Sequence, residues 1–240
     1  MVLCLVRSLI FELLRVSLTI VFSFVAILTF PLSPIKRYRI ITLWSYCITF
    51  LAKHICGIKY SVQGLDNIPS APCVILSKHQ SAWETFAFQT IFPPQVWVLK
   101  SSLLLVPFFG WGLAMMNPIA IDRSSGSKAL KQMLTQGRNR IENGWYIIVF
   151  PEGTRTSPLK KVDYQVGGAW LSSKLQSDIL PVAHNAGEYW PKNALLKKPG
   201  TINVVIGKPI KTTDKSPAEL IKHVEAWIET NMPKNSRRDL

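Results

Sequence analysis

The sequence predicts an α/β fold, with a mixed, largely parallel sheet flanked by helices and preceded by a two-helix membrane anchor. Two observations support this. From about residue 60, short runs rich in Val and Ile alternate with amphipathic stretches, as strands and helices alternate in layered α/β domains. Before that point the chain is mostly apolar. We therefore divide the 240 residues into membrane-associated helices (1–58) and an α/β domain (59–240).

The N-terminal segment suits a membrane. Residues 16–35 carry no charged side chain, and about 20 apolar residues are enough for a helix to span a bilayer. A second uncharged run, 40–52, is too short to span and suits an interfacial position. Two prolines separate the runs, so we predict helices at about 3–30 and 35–55 that lie in or cross one membrane. The apolar run is not followed by the small-residue pattern of a signal-peptide cleavage site.

The charge balance indicates an anionic partner. Lys and Arg outnumber Asp and Glu by 28 to 14, a net charge of +14. The basic residues are scattered and match no nucleic-acid motif, so an anionic bilayer surface is favoured over nucleic acid. Several cations follow the first apolar run, and the positive-inside bias then puts the α/β domain in the cytoplasm.

The cysteines favour a reducing compartment. There are four of them, and they show neither CxxC nor zinc-finger spacing. Most lie in the apolar N-terminal region, where cysteine behaves as a small hydrophobic residue. We therefore expect neither disulfides nor a metal site.

The elements of the α/β domain follow from periodicity. Six short apolar runs have the composition of buried strands: 73–77, 96–99, 119–121, 146–150, 179–183 and 202–206. Four amphipathic stretches between or after them are predicted helices, near 82–92, 127–143, 164–176 and 217–230. Serines at the start of the 127–143 helix and Gly144 after its end support its bounds.

A candidate acid–base pair follows the strand 73–77. His79 lies at its carboxyl end, where open α/β sheets usually place ligands, and a neutral imidazole can take a proton from a hydroxyl. Glu84 is the nearest carboxylate that could fix the ring tautomer. Five positions along one helix would put these side chains about 140° apart, so the dyad requires His79 to precede the helix. The spacing fits equally well a capping box in which Ser81 is the N-cap and Glu84 turns back to it.

A second motif is the run Phe-Pro-Glu-Gly-Thr-Arg at 150–155, which ends the strand before it. Gly153 allows a tight turn, and the Arg155 guanidinium suits a phosphate or carboxylate. Arg123 and Lys100 also lie at strand ends. Parallel strands would bring these ends to one edge of the sheet, so we expect an anion site there. A surface turn with an exposed ion pair is the alternative.

Four motifs in this order resemble the glycerolipid acyltransferases, most closely the bacterial 1-acyl-sn-glycerol-3-phosphate (lysophosphatidate) acyltransferases. The family's His-x4-Asp motif corresponds to His79 through Glu84, and its other motifs to 112–123, 150–155 and the proline-containing strand 179–183. The resemblance covers about residues 60–210, and the N-terminal helices are similar to the family's membrane anchor. The family usually has Asp where this chain has Glu84, which is longer by one methylene.

The resemblance implies an enzyme that transfers an acyl group from acyl-CoA or acyl carrier protein to the sn-2 hydroxyl of lysophosphatidate, giving phosphatidate. His79, oriented by Glu84, would be the base. The implied substrate-binding residues are Lys100, Arg123, Glu152, Gly153, Thr154 and Arg155. The resemblance implies no metal and no bound cofactor. It also implies a location at the bacterial inner membrane, with the site on the cytoplasmic side.

Other interpretations stay open. The same chemistry could serve another lysophospholipid or an amino-lipid acceptor. A catalytically silent lipid-binding protein is suggested only by Glu84 in place of Asp, and a hydrolase lacks the Gly-x-Ser-x-Gly elbow around Ser81. His184 has no carboxylate at the same spacing and is interpreted as structural. The apolar run 103–110 is interpreted as core or membrane contact rather than a guide for acyl chains.

Overall fold

A seven-stranded mixed sheet forms the centre of the computed structural model, which describes residues 2–158, 160 and 162–233. Its strands are β1 (Ile58–Gln63), β2 (Val74–Ser77), β3 (Gln95–Lys100), β4 (Ile119–Ile121), β5 (Tyr146–Val149), β6 (Ile179–His184) and β7 (Gly200–Ile206). Their spatial order is β1-β7-β6-β2-β5-β3-β4. The strands from β6 to β4 run parallel, while β7 pairs antiparallel with β6 and parallel with β1. The predicted sheet class is confirmed.

The central strands are covered on both faces. Every residue of β2, β5 and β6 is buried, which explains the unbroken apolar runs that predicted them. All six predicted strands are present, with ends within two residues of the prediction. The strand β1 was not predicted, because it lies at the sheet edge with residues 59–61 exposed and so has no continuous apolar run.

Nine α-helices accompany the sheet in the described part of the chain. They are α1 (Val2–Leu28), α2 (Pro34–Ile41), α3 (Leu43–Cys56), α4 (Trp83–Ile91), α5 (Phe109–Met115), α6 (Ser127–Glu142), α7 (Gly167–Leu175), α8 (Ala186–Tyr189) and α9 (Pro217–Thr230). The four predicted helices of the α/β domain correspond to α4, α6, α7 and α9. The helices α5 and α8 have seven and four residues, too few for a periodic pattern to be read.

The N-terminal helices differ from the prediction in one respect. The chain breaks between α1 and α2 near the two prolines, as expected. The predicted second helix, 35–55, is divided at Thr42 into α2 and α3. Thr42 keeps near-helical angles (φ −66°, ψ −14°), so the interruption is slight, and no proline or glycine in the sequence marks it.

The helix α1 is fastened to the α/β domain by one face. Phe11 is fully buried and meets the Trp190 ring edge-on, with centroids 5.0 Å apart. The Lys197 amide donates to Ser8 Oγ over 2.9 Å, and the buried Lys197 ammonium donates to the Glu12 carboxylate. The opposite face is a row of exposed Leu, Ile and Val side chains. Within the described residues, α1 is the one helix long and apolar enough to cross a membrane.

Two adjacent glycines at the start of α7 give a matched test of core packing. A Cβ on Gly168 would lie 2.6 Å from a methyl group of Leu76 and 3.1 Å from one of Val149, whereas a Cβ on Gly167 would lie 3.9 Å from the Met133 methyl group. We expect Gly168→Ala to lower the free energy of unfolding by about 1–3 kcal/mol through overpacking. The control, Gly167→Ala, should leave it unchanged or raise it. Chemical denaturation measures both, and equal stabilities would contradict this packing.

Candidate active site

Four neighbouring parallel strands end at one edge of the sheet, each beside a predicted site residue. The strand β2 leads to His79, β5 leads to 150–155, β3 ends at Lys100, and β4 leads to Arg123. These strands are adjacent in the order β2-β5-β3-β4, which confirms the expected meeting of their ends. Arg123 begins a 3₁₀ turn at this edge, and its side chain lies outside the described part of the structure.

His79 lies in the turn before α4, as a dyad with Glu84 requires. Its Nδ1 is 2.9 Å from Glu84 Oε1. The same oxygen accepts the backbone N–H groups of Gln80 (2.8 Å) and Ser81 (2.7 Å). The two interpretations of Glu84, a helix cap and a partner of the His79 ring, therefore do not exclude each other. The same carboxylate oxygen makes both sets of contacts.

The helix α4 starts one residue later than expected. Its N-cap is Ala82 and not Ser81, whose hydroxyl oxygen instead accepts the Trp83 amide at 3.0 Å. The later start suits the longer side chain of Glu84, which has to turn back past the helix start to contact the ring.

The Glu84 carboxyl is fully buried yet ionised. Burial raises its pKa, and the hydrogen bonds from the His79 ring and the Ser81 amide oppose this, so that the pKa lies below its ordinary value. An ionised carboxylate can only accept hydrogen bonds. The proton shared by the pair therefore lies on His79 Nδ1, and Nε2 carries the lone pair.

The ring and the backbone of His79 are both held by β5 and the segment that follows it. The ring stacks on Phe150 with centroids 3.8 Å apart and planes at 8°, and Phe150 stacks in turn on Trp97. The His79 amide donates to Glu152 Oε1 over 2.7 Å, and its carbonyl accepts the Thr156 amide at 2.8 Å. The orientation of the His79 ring is therefore fixed from two sides.

Glu152 lies beneath this turn, in a buried charged cluster. Its Oε2 accepts the Thr156 hydroxyl, and its Oε1 is 3.6 Å from Lys78 Nζ. Lys78 is 2% exposed and donates to Glu229 Oε1 of α9 over 2.7 Å. Sequence reasoning missed Lys78, although a lysine directly after an apolar strand was a usable signal, because a buried lysine requires a partner.

His184 is structural, as interpreted from the sequence. It is completely buried, its Nε2 lies 2.8 Å from the Lys78 carbonyl oxygen, and its Nδ1 accepts the Ala186 amide at 3.2 Å. Nε2 therefore carries the proton. Burial lowers the pKa of His184 by more than Glu84 raises it, so the ring is neutral. It fixes the carbonyl group that immediately precedes His79.

A cavity of about 320 Å³ opens beside His79. Its other polar lining includes Lys100, Thr154 and Arg155, and Gly153 also forms part of the wall. Most of the remaining wall is apolar and includes Phe22, Ile41, Trp44, Trp97, Leu103, Phe109, Leu113 and Met116. The cavity therefore suits a molecule with an anionic end and an extended apolar part. The N-terminal helices, predicted only as an anchor, supply part of its wall.

Glu152 and the run 103–110 lie differently relative to the cavity than the sequence suggested. Glu152 is not among the described residues that line the cavity, so any effect on a substrate passes through the His79 turn. Within the run 103–110, Leu105 is 82% exposed as expected of a surface contact, but Leu103 and Phe109 face the cavity. In the described part of the chain, no group of three or more His, Cys, Asp or Glu side chains could hold a metal ion.

Comparison with known proteins agrees with the resemblance seen in the sequence. A sequence model of the acyltransferase family matches residues 59–185. The chain is 44% identical over 232 residues to a 1-acyl-sn-glycerol-3-phosphate acyltransferase from Pseudomonas aeruginosa, covering 95% of this chain and 90% of that protein. A Saccharomyces cerevisiae protein of the same name is 32% identical over 171 residues, covering 69% of this chain and 56% of that protein.

A solved structure shows the same fold. The 1-acyl-sn-glycerophosphate acyltransferase from Thermotoga maritima matches with a TM-score of 0.79, covering 94% of this chain and 93% of that chain, at 21% sequence identity. The match includes the N-terminal region as well as the α/β domain, since so little of either chain lies outside it.

The buried neutral state of His184 makes stability depend on pH. In the unfolded chain a histidine takes up a proton as the pH falls through about 6.5, whereas the buried ring has a lowered pKa and does not. Below that pH, protonation therefore favours unfolding, by up to about 1.4 kcal/mol per pH unit. We expect the free energy of unfolding of the wild type to fall relative to that of His184→Gln between about pH 7.5 and about pH 5. Denaturant titrations measure this, and parallel curves would contradict it.

Proposed function

The chain belongs to the acyltransferase family, and we propose that it acylates the sn-2 hydroxyl of 1-acyl-glycerol-3-phosphate, giving phosphatidate for phospholipid synthesis. Two of its relatives carry the name of that activity. The observation that carries the proposal is the cavity, in which a His79–Glu84 pair and the cations Lys100 and Arg155 meet a mainly apolar wall. Lysophosphatidate has a hydroxyl, a phosphate and an acyl chain to match these three features.

His79 acts as the base. Its Nε2 takes the proton of the sn-2 hydroxyl while the hydroxyl oxygen attacks the thioester carbonyl carbon, and ionised Glu84 stabilises the imidazolium that forms. The tetrahedral intermediate collapses, the C–S bond breaks, and the leaving thiolate takes the proton from His79. One ester has formed, one thioester has been broken, and the ring is neutral again.

The acceptor phosphate is bound at the strand ends. Arg155 offers a bidentate fork, and Lys100, which also lines the cavity, offers a point charge. Arg123 is the third cation, in a turn that Asp122 orders by accepting the Ser124 amide over 3.0 Å. Gly153 and Thr154 shape the glycerol site beside Arg155, and Glu152 contributes by supporting the His79 turn.

The acyl donor is a thioester of CoA or of acyl carrier protein. Its acyl chain takes the apolar part of the cavity, where Trp44, Phe109 and Met116 provide wall surface. The net charge of +14 favours both an anionic CoA and an acidic carrier protein. The cavity chemistry is the same for either, since the two donors share the thioester.

The enzyme acts at the bacterial inner membrane from its cytoplasmic side. The exposed apolar face of α1 and the exposed Leu43, Tyr46 and Phe50 of α3 form a surface for lipid. Because α1 is fastened to the domain near both ends of its inner face, from Ser8 to Ala26, a position within one leaflet is favoured over a spanning one. The basic residues after α1 suit the anionic cytoplasmic surface.

Replacing the base tests the assignment as an enzyme. We expect His79→Ala to lower kcat by about 10²–10⁴-fold, the usual contribution of a general base, with folding and vesicle binding unchanged. Glu84→Gln should also lower kcat because a neutral amide stabilises the imidazolium less, whereas Glu84→Asp keeps the charge. The assay measures phosphatidate formed from oleoyl-lysophosphatidate with each donor. The control is His54→Ala, an exposed histidine of α3.

The outcomes separate the alternatives. Activity that survives His79→Ala would refute the base. A wild-type protein that makes no phosphatidate with either donor would refute the lysophosphatidate assignment, and other lysophospholipids and amino lipids would then be assayed. If no acyl group is transferred to any of these acceptors, the interpretation as a catalytically silent lipid-binding protein would be supported instead.

Arg155 should determine the preference for a phosphate. A charged hydrogen bond contributes about 1.5–3 kcal/mol, so Arg155→Ala should raise KM for lysophosphatidate by about 10–100-fold. The reaction of a phosphate-free 1-acylglycerol should be unaffected, because it has no group for the guanidinium to bind. Steady-state kinetics with both acceptors measures the difference. Equal losses for both acceptors would contradict phosphate binding by Arg155.

A further inference from the structure

We propose that Lys78 is a positioning residue for the base. By neutralising Glu152, Lys78 keeps both carboxylate oxygens available to hold the turn that carries His79, and Glu229 of α9 holds Lys78 in place. The inference rests on the proposed function, because it concerns the base of that same reaction. Lys78 is not among the described residues that line the cavity, so it acts through the turn and not by contact with the substrate.

The surroundings of Lys78 form a closed cluster. Its ammonium is 2.7 Å from Glu229 Oε1 and 3.6 Å from Glu152 Oε1, and it lies 5.6 Å from the centroid of the Tyr164 ring. The Tyr164 hydroxyl donates to the same Glu229 oxygen over 3.1 Å. The side chain of Lys78 is 3% exposed and that of Glu152 is not exposed, while Glu229 is 29% exposed. One buried ammonium thus serves two carboxylates that come from distant parts of the chain.

Glu152 accepts a hydrogen bond at each carboxylate oxygen, as an ionised carboxylate does. Its Oε1 accepts the His79 amide over 2.7 Å, and its Oε2 accepts the Thr156 hydroxyl. A protonated carboxyl would turn one of these acceptors into a donor. The Thr156 amide also donates to the His79 carbonyl, so both ends of the His79 backbone depend on the order of this segment.

The pKa of Glu152 lies above its ordinary value. Burial raises the pKa of Glu152, and the Thr156 hydrogen bond, the Lys78 ammonium and the His79 amide oppose this without reversing it. The groups that face the cluster are Lys78 and His79 from the turn, Glu225 and Glu229 from α9, and Thr156 and Tyr164 from the segment after β5. Lys78 is the cation whose side chain pairs with Glu152 in the described part of the chain.

Removal of Lys78 should therefore have a signature in pH as well as in rate. Without the ammonium, Glu152 takes up a proton at higher pH. The reason is that a nearby positive charge lowers the pKa of a carboxyl by about 1–3 units, and this effect is lost when Lys78 is replaced. The turn then loses an acceptor and His79 moves relative to the substrate hydroxyl. The contacts of the phosphate with Lys100 and Arg155 stay as they were.

The test compares Lys78→Met, Lys78→Arg and the wild type over a range of pH, using the full chain and acyl-CoA. We expect Lys78→Met to lower kcat by about 10²-fold, as for an ångström-scale misplacement of a reacting group, with KM for lysophosphatidate within about twofold. Its acid limb should move to higher pH by about one unit or more, whereas Lys78→Arg should keep the wild-type limb. The control Lys211→Met removes an exposed ion pair with Asp178 and should match the wild type.

A double variant makes the result decisive. In Lys78→Met/Glu152→Gln no ionisable group remains at 152, so the acid limb should return to that of the wild type and kcat should equal that of Glu152→Gln alone. If Lys78→Met fails to fold, this comparison decides the question, since the double variant has no unpaired charge buried at position 152.

Three results would overturn the inference. They are a wild-type kcat in folded Lys78→Met, a reduced kcat with no shift of the acid limb, and a double variant with a kcat about tenfold or more below that of Glu152→Gln. In each case phosphatidate formation by the wild type and Lys211→Met would leave the proposed function intact. Absence of phosphatidate from the wild type is instead the failure of the proposed function.

Discussion

The convergence of three N–H groups on one buried oxygen determines the geometry of this site. Glu84 Oε1 receives the imidazole of His79 and the amides of Gln80 and Ser81. These contacts keep the carboxyl ionised despite its burial, and the ionised carboxylate fixes the tautomer of the ring. The same contacts start α4. The start of α4, the charge of Glu84 and the orientation of the His79 ring therefore depend on the same contacts, and a change in one of them affects the others.

The turn is irregular in backbone yet rigid, because neighbouring elements satisfy its polar groups. The Lys78 amide donates to the Val182 carbonyl, and the Lys78 carbonyl accepts from His184. The next residue, His79, is bound at its amide by Glu152 and at its carbonyl by Thr156. These hydrogen bonds to the backbone hold the short loop, and the His79 side chain with it, in one geometry.

The cavity is a composite of two kinds of surface. The sheet edge contributes the charged groups Lys100 and Arg155 together with His79, and α1, α2, α3 and α5 contribute apolar side chains such as Phe22, Ile41, Trp44 and Leu113. This part could not be read from the sequence. An apolar helix that faces lipid on one side and a binding cavity on the other has the same composition as one that faces lipid all round.

The motif of His79 and Glu84 could be recognised in the sequence, because the two residues are five positions apart. Their spacing could not separate capping from catalysis, since both use one carboxylate oxygen. The partners of Lys78 were out of reach, because Glu229 lies 151 residues away.

The order in which the chain is made gives these separations a further meaning. Besides Glu84, the turn is held by Glu152, Thr156, His184 and Glu229, which lie 73 to 151 positions after the residues they contact. During synthesis the apolar helices and the turn leave the ribosome first, and the groups that fix the turn follow much later. If α9 holds Lys78 in the role proposed for it, acyl transfer has to wait until α9 has been translated and packed, and a chain that ends before α9 is expected to be inactive.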